Sequence, residues 1–327
     1  MKRLMMACGA AVALAVPLAL LPAANAAAPT TTLSPGRIER GPDVRIPHME
    51  GTTVVDGSRR IKVRAQGAVL LGKVAPTAYV VWAFGSQAQR VLRVTPHGVR
   101  VLVPSSNLAT AVLSSDGSRV AVEPVGDHTG TTVKVFSAKT GDLLRKRRFN
   151  FSAQLLDFGD RLILTGFPNR TVRTFWWNHR TNVTQRIVAK NTYFADTRTN
   201  RLAYTTFGPD GDCTVLAAIS APRKPIWRTC GDHEVRAISP DGSRIATGSP
   251  AGEGTNRMTI RTGNGRALAH FRVQSLEGRP AGFGPVAWET NRALLMLTRG
   301  PYKTATIRCT ATSCNRASAL TPTEWPE

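Results

Sequence analysis

Acidic residues, cysteines, aromatics and long apolar runs are all scarce in this chain, and each scarcity excludes something. Five cysteines in 327 residues are too few for a disulfide-dense miniprotein. No Cys-x-x-Cys occurs, which removes the commonest zinc spacing. There is no Gly-x-Ser-x-Gly nucleophile elbow, and His233-Glu234 lacks the second histidine of a His-Glu-x-x-His zinc site. No glycine-rich phosphate loop leads into a helix, and no helical periodicity follows the first segment. After Glu50 no stretch approaches the roughly 20 apolar residues of a membrane span. What remains is ample core material: 42% of residues are apolar, against 20% charged. That composition excludes a disordered chain, a coiled coil and a collagen-like fibre.

Residues 1–26 read as a secretory signal peptide. Lys2 and Arg3 precede an apolar stretch over 4–21, and Ala24-Asn25-Ala26 supplies small residues for cleavage before Ala27. The expected mature chain is extracytoplasmic and monomeric, with 301 residues and a charge of +20. It retains Cys213, Cys230, Cys309 and Cys314, an even number suited to two bridges in an oxidising compartment. Cys213 and Cys230 are symmetric about a turn at 221–224, and Cys309 and Cys314 about Ala311-Thr312. Two hairpins would set each pair directly opposite, where strand residues lie about 4.5–5.5 Å apart.

Two segments are near copies: Leu113-Ser-Ser-Asp-Gly-Ser-Arg-Val-Ala-Val122 and Ile238-Ser-Pro-Asp-Gly-Ser-Arg-Ile-Ala-Thr247. Weaker copies surround Arg161, Arg201 and Arg292, so the arginines at 119, 161, 201, 244 and 292 are spaced by 42, 40, 43 and 48 residues. Within the best copy, short β segments at 111–114, 119–123, 132–137 and 143–149 alternate with turns, of which Asp116-Gly117 is a strong hairpin signal. A period of 40–45 built from four short strands is that of a propeller blade. The expected fold is all-β, a β-propeller of six or seven four-stranded blades. Six blades are read at 67–104, 107–150, 152–189, 191–230, 233–274 and 280–320. A hairpin over 44–63 either makes a seventh blade or closes the ring on the last. Residues 27–43 read as a flexible lead-in before a single propeller domain at 44–327. Ser-x-Asp-Gly-Ser-Arg-[Val/Ile]-Ala, best seen at Ser239–Arg244 and Ser114–Arg119, resembles the WD40-like repeat of TolB-type β-propellers. The Trp-Asp and Gly-His signatures of true WD40 repeats are missing. Arginine far outnumbers lysine, a usage typical of a GC-rich bacterium.

The repeat carries no chemistry of its own. No catalytic residue, metal ligand or cofactor-binding residue is assigned, and no cofactor is expected. The six histidines, His48, His97, His128, His179, His233 and His270, read as scattered loop and turn residues, and Asp210-Gly211-Asp212 as a turn rather than a calcium site. Asn150, Asn169 and Asn182 open formal glycosylation sequons. Alternation along Phe175-Trp176-Trp177 buries at least one ring between blades. Charge is the strongest hint of function, because a large positive excess concentrates anions. Its densest cluster, Arg145-Lys146-Arg147-Arg148, falls on an outermost strand, where it also blunts a sheet edge. The leading expectation is a non-enzymatic binding scaffold for an anionic cell-envelope polymer or a protein partner. Nucleic acid is not expected, since its stacking modules are absent. The expected rim gathers the loops between second and third strands and presents Asp127, His128, Arg170, Glu253, Arg299, Tyr302 and Lys303. One alternative is a lyase or hydrolase working in the central channel. Another, implied by the TolB resemblance, is a partner in envelope protein assembly. TolB-like proteins work with an outer-membrane lipoprotein, and this chain has no recognisable segment for that contact.

Overall fold

The computed structural model describes residues 27–85, 88–105, 107–125, 130–168, 171–208, 211–231, 233–249, 256–276 and 279–323. The signal-peptide reading of 1–26 lies outside them. Among the described residues there is no α-helix, and none long and apolar enough to cross a membrane.

Seven antiparallel meanders follow one another along the chain. Blade 1 is short: His48–Glu50, Thr53–Asp56 and Arg59–Lys62. Blade 2 comprises Gly67–Ala75, Ala78–Phe84, Gln89–Thr95 and Gly98–Ser105. Blade 3 comprises Leu108–Leu113, Arg119–Pro124, Thr131–Ser137 and Leu143–Phe149. Blade 4 comprises Ala153–Phe158, Leu162–Gly166, Arg173–Asn178 and Val183–Val188. Blade 5 comprises Thr192–Asp196, Arg201–Gly208, Gly211–Ala218 and Ala221–Cys230. Blade 6 comprises Glu234–Ile238, Arg244–Gly248, Arg257–Thr262 and Ala267–Val273. Blade 7 comprises Gly282–Trp288, Leu294–Arg299, Lys303–Cys309 and Cys314–Arg316. The innermost strands of successive blades touch one another and surround a central axis. Second strands are covered on both faces by neighbouring blades, so Leu162–Gly166 is buried throughout and Val120, Ala121 and Val122 are wholly inaccessible. The rings of Phe175 and Trp177 are buried between blades 3 and 4, while the half-buried Trp176 is stacked under Arg161 at 4.4 Å.

The repeated motif is a self-contained turn. Ser114 Oγ donates to Asp116 Oδ1 at 2.6 Å, and Ser118 donates to the same oxygen from N at 3.0 Å and from Oγ at 2.8 Å. Arg119 N donates to Ser114 Oγ at 2.9 Å, while Gly117 takes φ 68°, in the left-handed region. Ser239, Asp241, Gly242, Ser243 and Arg244 repeat the pattern, with distances of 2.7, 3.0, 2.8 and 2.9 Å. Burial alone would raise the Asp116 carboxyl, but the two serines and Arg119 outweigh it and hold it down at about 2.

The seventh sheet over 48–62 resolves the blade count, and it is incomplete. Its turn after Asp56 lies beside the first turn of blade 2: Asp56 Oδ2 accepts from Tyr79 Oη at 2.6 Å and from Lys73 Nζ at 2.7 Å, and Arg59 Nη1 donates to Pro76 O at 3.4 Å. That turn therefore belongs with the turns joining first to second and third to fourth strands. The three strands of blade 1 correspond to the second, third and fourth of the other blades, and the innermost is missing.

The segment 27–43 is not the free lead-in expected from its Pro, Thr and Gly content. Thr30–Leu33 adds a fifth, parallel strand to the outer edge of blade 6, from Thr30↔His270 to Leu33↔Val273. Pro35 packs on Gly300 of blade 7, and Arg40 bridges Arg316 on the outermost strand of that blade. The chain then passes over a buried ion pair. Arg308 Nε and Nη2 donate to Glu289 Oε2 and Oε1 at 2.6 and 2.8 Å. Arg308 also donates to Pro42 O at 2.9 Å and Asp43 O at 2.8 Å, and Arg45 N donates to Glu289 Oε1 at 2.7 Å. Val44 and Ile46 pack on Leu295 and Ala317. This strap covers two sheet edges and ties blade 7 to blade 1, so a ladder between distant segments replaces the flexibility that local composition suggests.

Glu123 is a second buried carboxyl, 8% exposed, accepting from Leu155 N of blade 4 at 2.9 Å. Burial pushes it up, outweighing that hydrogen bond. A carboxyl raised in the fold favours the folded state at low pH and weakens it as pH rises past the ordinary value of 4.5. Glu123→Gln keeps an acceptor and removes the charge. Its thermal midpoint at neutral pH is expected to exceed that of the parent, and the difference should vanish in acid. A variant less stable than the parent at both pH values would contradict this.

Candidate functional site

The outermost strand of blade 3, Leu143–Phe149, carries Arg145, Lys146, Arg147 and Arg148 and is exposed along most of its length. Two of these side chains hook the next blade. Arg145 Nε donates to His179 O at 2.8 Å and its Nη2 to Arg180 O at 3.0 Å. Arg147 Nη1 donates to the Asn182 carbonyl and, at 3.2 Å, to Asn182 Oδ1, with its guanidinium 5.0 Å from the Phe149 ring centre. Carbonyl oxygens fix the direction of a guanidinium without neutralising it. Asn182 offers both oxygens from a left-handed turn at φ 63°, and its Oδ1 also accepts from Trp177 Nε1 at 3.2 Å. His179, inside the same turn, is 4% exposed; burial, then Arg119, Arg180 and Arg145, pull its imidazole down to about 4, so it stays neutral.

Where blades 3 and 4 meet, a cleft of about 220 Å³ opens at the end of the ring that carries the loops between second and third strands. Arg147, Arg148, Arg173 and Arg186 line it with Asn150 and Thr184, over Phe149, Phe151 and Phe175. Among the described residues, none that lines it is acidic. The aromatic floor is a cluster with ring centres 5.5–5.7 Å apart, which stiffens the base of the cleft. Guanidiniums arranged over a rigid apolar floor suit bidentate contact with carboxylate, phosphate or sulfate groups.

The expected rim fares differently. Asp127, His128, Arg170 and Glu253 lie outside the described residues. Arg299, Tyr302 and Lys303 are exposed on the blade 7 loop at that end of the ring, with Arg279 stacked 4.6 Å above the Tyr302 ring. None of these three lines the arginine cleft. The cluster 145–148 was visible in the sequence; Arg173 and Arg186 were not, since only the pairing of Arg173–Asn178 with its neighbours brings them beside it. Asp210 of the proposed turn at 210–212 is also outside the described residues, and among those described no group of three or more His, Cys, Asp or Glu is placed to hold a metal.

Both expected disulfides are formed, Cys213 with Cys230 and Cys309 with Cys314, each between directly opposed strand residues.

The chain is a seven-bladed β-propeller. No protein-family model matches its sequence, and no curated protein matches it. Solved structures do. The β-propeller domain of the Trilobed protease from Pyrococcus furiosus, described as having an open velcro topology, is 8% identical, with a TM-score of 0.57 over 86% of this chain and 96% of that one. The acylaminoacyl peptidase of Pyrococcus horikoshii is 10% identical, with a TM-score of 0.56, and the match covers 82% of this chain but 47% of the peptidase. TolB from Acinetobacter baumannii is 14% identical, with a TM-score of 0.48 over 82% of this chain and 66% of that one. At these identities the fold is what the two protease propellers share with this chain.

Proposed function

We propose that the protein is an extracytoplasmic binding scaffold for an anionic polymer, held at the arginine cleft between blades 3 and 4. The observation that carries this reading is the gathering of four arginines around one cleft, with no acid among the described residues that line it. The net charge of +22 supports it by drawing polyanions to the whole surface, while the cleft gives them a place to dock. The two disulfides support a place outside the reducing cytoplasm, where anionic envelope polymers are the available ligands. An acidic protein segment is the same ligand chemistry in shorter form.

The test uses fluorescent polyglutamate and dextran sulfate as probes. Affinity should fall steeply as ionic strength rises from about 0.01 M to 0.15 M, where the screening length shrinks from about 30 Å to 8 Å. Arg173→Glu with Arg186→Glu should weaken binding by more than tenfold. A control reversal of equal charge at the exposed Arg223 and Lys224 should have only the small effect of lower net charge. Equal losses in both variants would reduce the cleft to one basic patch among many.

A further inference from the structure

The end of the ring that carries the loops between second and third strands is apolar at its tips as well as basic. Among the described residues three aromatic side chains are more than half exposed, and all three stand there: Phe167 on blade 4, Phe207 on blade 5 and Tyr302 on blade 7, at 51%, 78% and 59%. Leu276, in the connection from blade 6 to blade 7, joins them at 44%. We propose that this end of the propeller docks on an anionic lipid bilayer, with these four tips entering the headgroup region.

Cations accompany the tips. Arg173 pairs with Gly166, the residue before Phe167. Arg228 Nη2 lies 3.7 Å from where a Cβ on Gly208 would stand, next to Phe207. Arg279 exchanges backbone hydrogen bonds with Leu276 at 3.2 and 2.9 Å, and its guanidinium stacks 4.6 Å from the Tyr302 ring centre. Arg299 and Lys303 border the Tyr302 loop. None of Arg228, Arg279, Arg299 and Lys303 forms a salt bridge with an acid among the described residues. Of the exposed or half-buried acids described at this end, Glu50 and Glu234 are paired with Arg60 and Arg236, which leaves Asp212. Asp56, Asp116, Asp142, Asp160, Asp196 and Asp241 all belong to turns at the opposite end. Acidic side chains thus gather away from the apolar tips, and an anionic plane is drawn to the end that carries them.

The placement of the tips favours a bilayer over a protein partner. They stand on separate blades of a ring, whereas a protein interface gathers its apolar residues into one buried core. A bilayer gives every tip the same surroundings wherever it enters. Aromatic rings favour the membrane interface, and arginine and lysine lay their stems along apolar surface while their charged heads reach lipid phosphates. An anionic leaflet attracts each such cation within a screening length of its surface. None of the four tips lines the arginine cleft, so the inference stands apart from the polymer reading.

The experiment sediments the full chain with vesicles of phosphatidylcholine alone and of phosphatidylcholine with about 30% phosphatidylglycerol, at low and physiological salt. Only the anionic vesicles should carry the protein down, and less of it as salt rises. Phe167→Ser with Phe207→Ser should weaken that binding more than about tenfold, the effect of withdrawing two aromatic side chains from an apolar phase. The same pair should leave polyglutamate binding and the melting curve unchanged. Arg299→Gln with Lys303→Gln should weaken vesicle binding about fivefold per charge removed. In Phe207→Trp, brominated lipid should quench emission beyond the level seen in the parent. No sedimentation with anionic vesicles at low salt overturns the proposal. So does parental vesicle affinity in the serine pair, which would mark adsorption by charge alone, and so does a matching loss of polyglutamate binding, which would mark a protein-binding face. Should the serine pair fail to fold, Phe207→Trp decides, and quenching no greater than the parent's overturns the proposal. Failure of polyglutamate to bind the parent would sink the cleft reading and leave the vesicle result standing.

Discussion

Glu289→Ala is expected to destabilise the propeller by about 3–5 kcal/mol, the usual consequence of removing one partner from a buried ion pair. Glu289 is 3% exposed in its side chain and Arg308 10%, so the guanidinium left behind has little access to water. The loss is not confined to two residues. Glu289 also accepts from Arg45 N, and Arg308 holds the Pro42 and Asp43 carbonyls, so the strap loses its anchor on blade 7. Burial alone would raise the Glu289 carboxyl; Arg308 and the Arg45 amide outweigh it, and the net shift is downward. A carboxyl lowered in the fold contributes its stability above its ordinary value of 4.5 and loses it as pH falls through the folded value. The gap between parent and Glu289→Gln in chemical denaturation should therefore be full at neutral pH and close in acid. Equal gaps at pH 7 and pH 3 would show that charge is not what holds the strap. Replacing both partners with apolar residues, Glu289→Leu with Arg308→Met, should cost less than either single loss, because no uncompensated charge remains.

Removing the Cys213–Cys230 bridge should be the other large effect. It closes a 17-residue separation, for which loop entropy alone gives about 3 kcal/mol; the 5-residue Cys309–Cys314 closure gives about 2 kcal/mol. Cys213→Ala with Cys230→Ala should therefore lower the thermal midpoint more than Cys309→Ala with Cys314→Ala. The shorter bridge has a compensating importance. Its cysteines adjoin Arg308 and Asn315, which are bonded to each other at 3.0 Å, so its loss should add less than fully to that of Glu289→Ala. A melting curve unchanged by reductant would contradict both bridges' role.

Much of the architecture was legible because a blade is a local object. Its strands, turns and burial pattern recur within about 42 residues, and the Ser114–Arg119 and Ser239–Arg244 turns are complete in six residues each. The expected blade 3 at 107–150 is observed as Leu108–Phe149, and both disulfides follow from hairpin symmetry. What escaped the sequence is what joins blades. A parallel strand that pairs Thr30–Leu33 with residues 240 positions away leaves no periodicity to read. Glu289 follows the end of its first strand as Ser114 and Ser239 follow theirs, but the connection after it is one residue shorter, so the match emerges only from the strand pairing. The arginine cleft was half visible, as a charged run on one blade whose partners sit on the next.

The strap has a consequence for the order in which the molecule can be made. Thr32 meets Arg272, and Arg40 meets Arg316, contacts that span 240 and 276 positions. A ribosome delivers those partners long after the strap, so the earliest-made strand must wait, unpaired, through five or six successive blades. Contacts at such separation are slow to find. Until the last blade emerges, a nascent ring presents both a waiting strand and two bare edges, and that interval is where misassembly between copies would begin.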